Sequence, residues 1–299
     1  MRRRTFLKTS FAATLAAPLS RLAAAADPTV DGYLKTIGLQ LYTLRNQMAE
    51  DTPGTLKAVA DAGYAQVEMM DAVTGREIAQ TARGLGLDVT SAFINFKTIT
   101  APGEEGSPSE DDTLRAAEEI GLKHLVFGYI DHESRKTADQ YRAHCERANA
   151  FGKRCRDAGV KLCYHNHSFE FEPLPVGSNG DGPTGFEILR DDLDAELCPF
   201  ELDVFWAALG GLDPVETLRS LKGRLSQVHL KDLKPGVETI YDNSAVPKDA
   251  FQELGDGRLD IAACLKAAAE AGAEQCHVEQ DQSPDPLASV KESLAYLRK

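Results

Sequence analysis

The chain has 299 residues, of which 42% are hydrophobic, and its formal net charge is −13 at pH 7. This length suits one large domain or two small ones, and the hydrophobic share is sufficient for a core. Because so acidic a chain repels phosphate backbones and anionic lipids, the composition argues against a protein that binds nucleic acid or a membrane surface.

Residues 1–26 are predicted to be an export signal rather than part of the fold. Arg3 and Arg4 precede Thr-Phe-Leu-Lys and a moderately apolar stretch, and the alanines at 23–26 offer a cleavage site. This pattern resembles a twin-arginine signal, which directs folded proteins to the twin-arginine export machinery. We therefore expect a periplasmic mature protein; an uncleaved amphipathic N-terminus is the alternative. Removal of this segment takes away five basic residues and no acidic ones, so the charge moves from −13 to −18.

Strand-like apolar runs alternate with helical stretches along the mature chain. Strands are predicted at 36–44, 65–71, 87–96, 122–130, 161–167, 199–206, 225–232 and 275–281. Helices are predicted at 52–63, 75–86, 113–121, 137–158, 185–192, 213–224, 259–272 and 286–299. Eight strands with eight helices predict a single α/β domain over 27–299, a (β/α)8 TIM barrel.

Glycines and loops support the same architecture. Gly63, Gly159 and Gly272 each follow an alanine just before a predicted strand, where glycine ends a helix in the left-handed conformation. The long loops at 168–186 and 233–257 both follow strands, so in a barrel they lie over its mouth. No GxGxxG opens a helix after the first strand, which disfavours a dinucleotide-binding sheet.

The six cysteines form no Cys-x-x-Cys pair. Export to the periplasm permits disulfides, but spacing alone does not pair these cysteines. Cys163 and Cys276 lie inside strand-like runs, so we interpret them as small buried hydrophobic residues.

Four predicted strands in the second half of the chain carry a potential metal ligand near their ends: His165, Asp203, His229 and Glu279. The carboxyl ends of barrel strands meet at one mouth, so these side chains are expected to converge. Two imidazoles and two carboxylates suit a divalent cation. We expect Mn²⁺ first, with Zn²⁺, Co²⁺, Fe²⁺ or Mg²⁺ as alternatives. His167 shares a strand face with His165, so either imidazole could be the ligand of the fifth strand.

Further residues are candidates for contact with a substrate at the same mouth. Gln40 and Glu68 belong to the first two strands, and Lys231 follows His229. Trp206, the single tryptophan, is interpreted either as a stacking platform for a sugar ring or as a core residue. The remaining histidines are interpreted as structural or solvated: His124, His132, His144 and His277.

The segments YHNHSFEF, ELDVFW, VHLKD and VEQD resemble the xylose isomerase-like barrels, and the likeness covers essentially the whole mature chain. This family includes sugar (phosphate) isomerases and epimerases, inosose dehydratases and endonuclease IV. The resemblance implies a metal held by His165, Asp203, His229 and Glu279. Two positions depart from the family pattern: His165 stands where isomerases usually have Glu, and Trp206 stands where many relatives have His.

The resemblance implies a metal-dependent sugar isomerase or epimerase that abstracts a proton beside a carbonyl by enediolate chemistry. Glu279 is expected to be ligand and base, and His167 or Glu170 a second acid/base or substrate contact. The alternatives are a lyase or dehydratase on a keto-glycoside or inosose-like substrate, and a non-catalytic sugar-binding barrel. A phosphodiesterase like endonuclease IV is disfavoured, because the chain lacks additional His ligands and a basic surface. A homo-oligomer is compatible with the sequence.

Overall fold

The structure, a computed structural model, describes residues 29–176 and 182–299. The strands are β1 (Gly38–Gln40), β2 (Gln66–Met69), β3 (Asp88–Phe93), β4 (His124–Phe127), β5 (Lys161–His165), β6 (Phe200–Asp203), β7 (Leu225–Leu230), β8 (Asp232–Leu233), β9 (Phe251–Gln252) and β10 (Gln275–Val278). Eight of them pair in parallel in the closed order β1-β10-β7-β6-β5-β4-β3-β2. The predicted barrel is therefore confirmed. The predicted signal at 1–26 lies outside the described residues.

Helices connect the strands and surround the barrel. They are α1 (Val30–Lys35), α2 (Arg45–Glu50), α3 (Thr52–Ala62), α4 (Arg76–Gly84), α5 (Lys97–Thr100), α6 (Glu110–Ile120), α7 (Ala138–Asp157), α8 (Gly185–Asp192), α9 (Val204–Leu209), α10 (Pro214–Ser220), α11 (Ile261–Ala271) and α12 (Pro286–Leu297). Every predicted helix is present, and α1, α2, α5 and α9 are additional. Within the two described segments, no helix combines the length and apolarity that crossing a bilayer requires.

All eight barrel strands end earlier than the sequence predicted, and two of them, β1 and β6, pass directly into a helical turn. After β1 the chain turns into a 3₁₀ helix at Leu41–Leu44, because the Gln40 side chain accepts a hydrogen bond from the backbone N–H of Tyr42. β6 ends at Asp203, whose Oδ1 accepts from the backbone N–H of Trp206 at 2.9 Å and caps α9. The prediction that placed Trp206 on the sixth strand is therefore wrong, since this residue lies in the first turn of a helix.

The glycines behave as expected at the helix ends. Gly63, Gly159 and Gly272 all have positive φ angles, between 78° and 103°. Gly38 is required for a steric reason, because a Cβ atom at this position would lie 2.2 Å from Cδ2 of His277 inside the barrel. The absence of a side chain on β1 therefore makes room for an imidazole from β10.

The hydrophobic core lies between the barrel and its helices, while the barrel interior is polar. Along β7, Val228 and Leu230 belong to the core, and the alternate residues Gln227 and His229 are fully buried polar side chains. Gln227 donates through Nε2 to Ser91 Oγ at 3.1 Å across the barrel. Branched apolar residues fill most barrels of this kind, so this interior is specialised to support polar chemistry.

The insertion at 233–257 covers one side of the mouth. β8 and β9 form a two-stranded antiparallel sheet, and Leu233 and Phe251 pack against Phe205 and Trp206 of α9. The Asp232 carboxylate accepts hydrogen bonds from backbone N–H groups in and just after this insertion, those of Leu233, Gly255, Gly257 and Leu259. The insertion is thereby fixed next to the carboxyl end of β7.

Candidate active site

A cavity of about 400 Å³ opens at the carboxyl ends of the barrel strands. It is lined by Gln40, Tyr42, Met70, Phe93, Gly128, Tyr129, His165, His167, Trp206, Lys231, Asn243, Val246, Phe251, Glu279, Asp281 and Gln282. Six residues that the sequence singled out are in this lining: Gln40, His165, His167, Trp206, Lys231 and Glu279. The other four candidates are Glu68, Glu170, Asp203 and His229, which are completely buried and outside the lining.

The four predicted metal ligands lie close together. Single donor atoms of His165, Asp203 and His229 are all within 4.8 Å of one another. His229 Nδ1 lies 2.9 Å from Glu279 Oε2 and 3.9 Å from Asp203 Oδ2. The register of the sheet explains this proximity, because Asp203 pairs with His229 across β6 and β7.

The donor set fits a divalent cation. Oδ2 of Asp203 is buried without a hydrogen-bond partner, while Oδ1 caps α9. Burial raises the pKa of Asp203, and the nearby charges of Lys231 and His229 offset only part of that increase. A cation held by Asp203, His165, His229 and Glu279 would give this oxygen a ligand bond in addition to its ion pair with Lys231 at 3.2 Å. This nitrogen and oxygen set suits several divalent metals.

Lys231 is surrounded by three carboxylates. Its Nζ lies 2.7 Å from Glu279 Oε2, 3.2 Å from Asp203 Oδ2 and 3.1 Å from Asp281 Oδ1. Burial alone would lower the pKa of Lys231, but these carboxylates raise it well above its usual range. The side chain is therefore a permanent ammonium group at the wall of the cavity.

Two carboxyl groups beside Lys231 have opposite protonation behaviour. Burial would raise the pKa of Glu279, but the Lys231 charge and the His229 hydrogen bond lower it to about 2. For Asp281, burial outweighs the attraction of Lys231 and raises the pKa to about 7. At neutral pH the cavity therefore contains an ionised carboxylate and a carboxyl group that is partly protonated.

His167 and Trp206 present unpaired polar atoms at the cavity. Burial lowers the pKa of His167 to about 3, so its imidazole is neutral. Its ring stacks on Phe169 with centroids 5.4 Å apart and lies 5.2 Å from the Trp206 ring. His167 Nδ1 and Trp206 Nε1 are both buried without hydrogen-bond partners. A neutral imidazole nitrogen and an indole N–H can bond hydroxyl groups of a ligand that reaches them.

Glu170 faces away from the cavity. Its carboxylate accepts hydrogen bonds from Tyr164 Oη at 2.6 Å and from the backbone N–H of His167 at 2.8 Å. Burial raises the pKa of Glu170 to about 7. The predicted acid/base role stays a prediction, and these contacts instead indicate that Glu170 holds the His167 segment in place.

Two buried residues near the site were not singled out from the sequence, Glu201 and His277. Together with Glu68 and His229, they offer donor atoms that all lie within 4.8 Å of one another. His277 is fully buried, and neither ring nitrogen has a hydrogen-bond partner. His277 was interpreted from the sequence as structural or solvated. It is not solvated, and it belongs to a cluster of potential metal ligands next to the site.

A sequence signal for these two residues did exist. Residues two apart on a strand share a face. Glu201 precedes Asp203 by two positions, and His277 precedes Glu279 by two. This alternation predicts that the side chains of Glu201 and His277 lie on the same strand faces as Asp203 and Glu279, inside the barrel.

Comparison with known proteins agrees with this geometry. The sequence profile of the xylose isomerase-like TIM barrel family matches residues 56–299. The chain belongs to this family. The curated relatives that match the chain include inosose dehydratases.

Individual relatives are distant. An inosose dehydratase from Clostridium botulinum is 28% identical over 160 residues, which is 50% of this chain and 51% of the relative, so the match spans about half of its length. An inosose dehydratase from Clostridium perfringens is 26% identical over 235 residues, covering 71% of this chain and 76% of the relative. The solved structure of a sugar phosphate isomerase/epimerase from Parabacteroides distasonis has a TM-score of 0.72, covers 92% of this chain and 94% of its own, and is 22% identical. At that identity the likeness shows the fold alone.

Proposed function

We propose that this protein is a divalent-metal-dependent enzyme of the sugar isomerase or epimerase type, which removes a proton from the carbon beside a carbonyl of a sugar or keto-sugar. The observation that carries this proposal is the convergence of His165, Asp203 and His229 beside the cavity, with Glu279 Oε2 2.9 Å from His229 Nδ1. The cavity volume of about 400 Å³ is within the range of small-molecule sites.

Glu279 and Lys231 are assigned different roles in proton transfer. His165, Asp203, His229 and Glu279 would hold a divalent cation, which would supply Lewis-acid chemistry to carbonyl and hydroxyl oxygens. Glu279 is ionised at neutral pH and lines the cavity, so it can accept a proton from the substrate carbon. The ammonium group of Lys231 is fixed beside it and would stabilise negative charge that develops on the substrate.

The lining favours an uncharged, hydroxyl-rich ligand. Among the lining residues, all of which belong to the described segments, Lys231 is the one ammonium or guanidinium group, and three carboxylates already neutralise it. The unpaired Nδ1 of His167 and Nε1 of Trp206 instead suit sugar hydroxyls. These features support a sugar without a phosphate group.

A dehydratase or lyase is the second candidate. Asp281 keeps a proton up to a pH of about 7 and lies across Lys231 from Glu279. A base and an acid in one cavity would allow removal of the proton and protonation of a departing hydroxyl group. The similarity to inosose dehydratases supports this reaction as well as the leading one.

One experiment separates the two reactions. The purified protein is incubated with Mn²⁺ in deuterated water with aldoses, ketoses and inososes, and products are followed by NMR and mass spectrometry. Deuterium at the carbon beside the carbonyl without loss of mass supports an isomerase or epimerase, and loss of water supports a dehydratase. Glu279→Gln should abolish both signals, while Glu238→Gln, an exposed change in the insertion, should leave them intact. Turnover that survives chelation and Glu279→Gln would refute the proposal.

We also propose a periplasmic location, on the basis of the twin arginine at Arg3 and Arg4. Conversion of both residues to lysine should retain the protein in the cytoplasm, as measured by cell fractionation. A periplasmic fraction that is unchanged by this double substitution would contradict the twin-arginine route.

A further inference from the structure

Glu68 was expected to contact substrate, but it is held entirely by protein groups. Its Oε2 accepts hydrogen bonds from Gln40 Nε2 at 2.8 Å and from His229 Nε2 at 2.6 Å. Its Oε1 accepts from Ser91 Oγ. Glu68 is completely buried and is not part of the cavity lining. The Glu68 carboxylate therefore interacts with His229 rather than with a molecule in the cavity.

The direction of these hydrogen bonds is fixed by neighbouring groups. Gln40 Oε1 accepts from the backbone N–H of Tyr42, so the amide NH2 of Gln40 points to Glu68. Gln227 Nε2 donates to Ser91 Oγ, which leaves the Ser91 hydroxyl hydrogen for Glu68. Because an ionised carboxylate only accepts, the pairing with His229 requires a hydrogen on its Nε2.

This arrangement distinguishes the two ring nitrogens of His229. Nε2 faces the carboxylate of Glu68 and Nδ1 faces that of Glu279. Burial would lower the pKa of His229, but Glu201 and Glu68 raise it well above its usual range. A cation at the mouth of the barrel would replace the hydrogen on Nδ1, the atom that faces Glu279 and Asp203, and leave the hydrogen on Nε2 with Glu68. We propose that Glu68 is a positioning residue for the metal site, which holds the His229 ring so that Nδ1 is the ligand atom. The assignment rests on the proposed function, because it assumes a divalent cation at the mouth of the barrel. Carboxylates that orient a ligating histidine in this way commonly govern metal affinity.

The alternative is that the side chains around Glu68 bind a second cation deeper in the barrel. Glu68, Glu201, His229 and His277 offer donor atoms within 4.8 Å of one another. Such a site would need the lone pair of His229 Nε2, but the 2.6 Å hydrogen bond to Glu68 places a hydrogen on that atom. The positioning role therefore accounts for the geometry better, and a second ion becomes an outcome of the test.

The test compares Glu68→Gln with wild type in metal affinity and in histidine tautomer. Glutamine has the size of glutamate, but it loses the charge and turns an NH2 group toward hydrogen-bond donors. Chelator competition should show Mn²⁺ binding that is about ten- to a hundred-fold weaker than in wild type. Long-range ¹H–¹⁵N NMR of the Zn²⁺-loaded proteins should show hydrogen on Nε2 of His229 and coordination through Nδ1 in wild type, and loss of this single assignment in the variant.

Gln66→Met provides a matched control. Gln66 is also buried in the barrel interior, two residues before Glu68 on β2, and its Nε2 donates to the Thr36 carbonyl at 2.7 Å rather than to a histidine. Its replacement should affect stability without changing metal affinity or the His229 tautomer. If Glu68→Gln does not fold, Ser91→Ala removes the donor to Oε1 and should weaken metal binding in the same direction by a smaller factor.

The outcomes are distinct. Weaker binding in Glu68→Gln, with one ion per chain in wild type, supports the positioning role. Equal affinity in both proteins, or two ions per chain in wild type of which Glu68→Gln loses one, overturns it. Absence of metal binding in wild type itself would instead refute the proposed function from which this assignment starts.

Discussion

The ammonium nitrogen of Lys231 lies 2.7 Å from Oε2 of Glu279, and both side chains are almost completely buried at the wall of the cavity. This pair joins the residue that follows β10 to the residue that follows β7, and it lowers the pKa of the carboxylate while raising that of the amine. The relationship keeps Glu279 ionised in a buried site, which is the state that both metal binding and proton abstraction require.

Replacement of Lys231 by methionine should destabilise the metal-free protein. The change leaves the carboxyl groups of Asp203, Glu279 and Asp281 buried without their shared cation, and loss of one partner of a buried ion pair costs about 3–5 kcal/mol. Urea unfolding in the presence of a chelator measures this cost. Lys234→Met is the control, because its pair with Asp249 is exposed and screened by solvent, so its loss should cost much less. Equal costs for the two variants would contradict the prediction.

Mn²⁺ should stabilise the folded protein through the four predicted ligands. At a free metal concentration of about 100 times Kd, binding contributes about 2.7 kcal/mol, which raises the thermal midpoint by several degrees. Asp203→Asn should remove most of this shift, because it weakens the ligand whose Oδ2 lacks a hydrogen-bond partner. Asp213→Asn, which changes an exposed helix cap, should retain it. Scanning calorimetry with and without chelator measures the shift, and an unchanged response in Asp203→Asn would exclude Asp203 as a ligand.

Glu170 should make the metal-free protein less stable as the pH rises from about 4.5 to about 7. Burial raises its folded-state pKa from 4.5 to about 7, so within this window the folded protein binds a proton that the unfolded chain has released. Stability from this group is therefore complete below the lower value and is lost as pH approaches the upper one, by about 3 kcal/mol.

Glu170→Gln tests this effect, because glutamine does not titrate. The free energy of unfolding of the variant should fall less steeply across that window than the wild-type value, as measured by urea unfolding at a series of pH values with chelator. Glu172→Gln, two residues away and exposed, should follow wild type. Identical slopes in wild type and Glu170→Gln would show that Glu170 does not keep its proton.

Ligand binding should change the fluorescence of the single tryptophan. Trp206 lines the cavity, its Nε1 has no hydrogen-bond partner, and its ring lies 5.4 Å from the ammonium group of Lys231. A sugar that enters the cavity alters the polarity around the indole. Titration of candidate sugars should therefore give a saturable signal that vanishes in Trp206→Phe. A sugar that turns over without any change in emission would show that Trp206 is not at the binding position.

The barrel could be predicted from the sequence, and so could the positions of the four candidate ligands at strand ends. The alternation of apolar runs and helices is repeated along the chain, and each run that carries His165, Asp203, His229 or Glu279 shows that polar residue within an apolar context. The roles of Glu68 and Trp206 were less accessible. Glu68 lies two positions after Gln66 on β2, and only its contact with His229 across the barrel reveals that it faces a histidine rather than the cavity. Trp206 lies on α9, because the Asp203 side chain starts a helix where the apolar run predicted more strand.

The sequence by itself determined which residue types stand at the ends of successive strands, because periodicity and chain order are local properties. The tertiary structure alone decided which of those side chains meet, and through which atoms. His229 pairs in register with Asp203 on one side and His277 on the other, while closure of the barrel brings Glu68 to its Nε2. Those contacts depend on strand register and barrel closure. Both are set by the packing of the whole chain, so they cannot be predicted from any single segment.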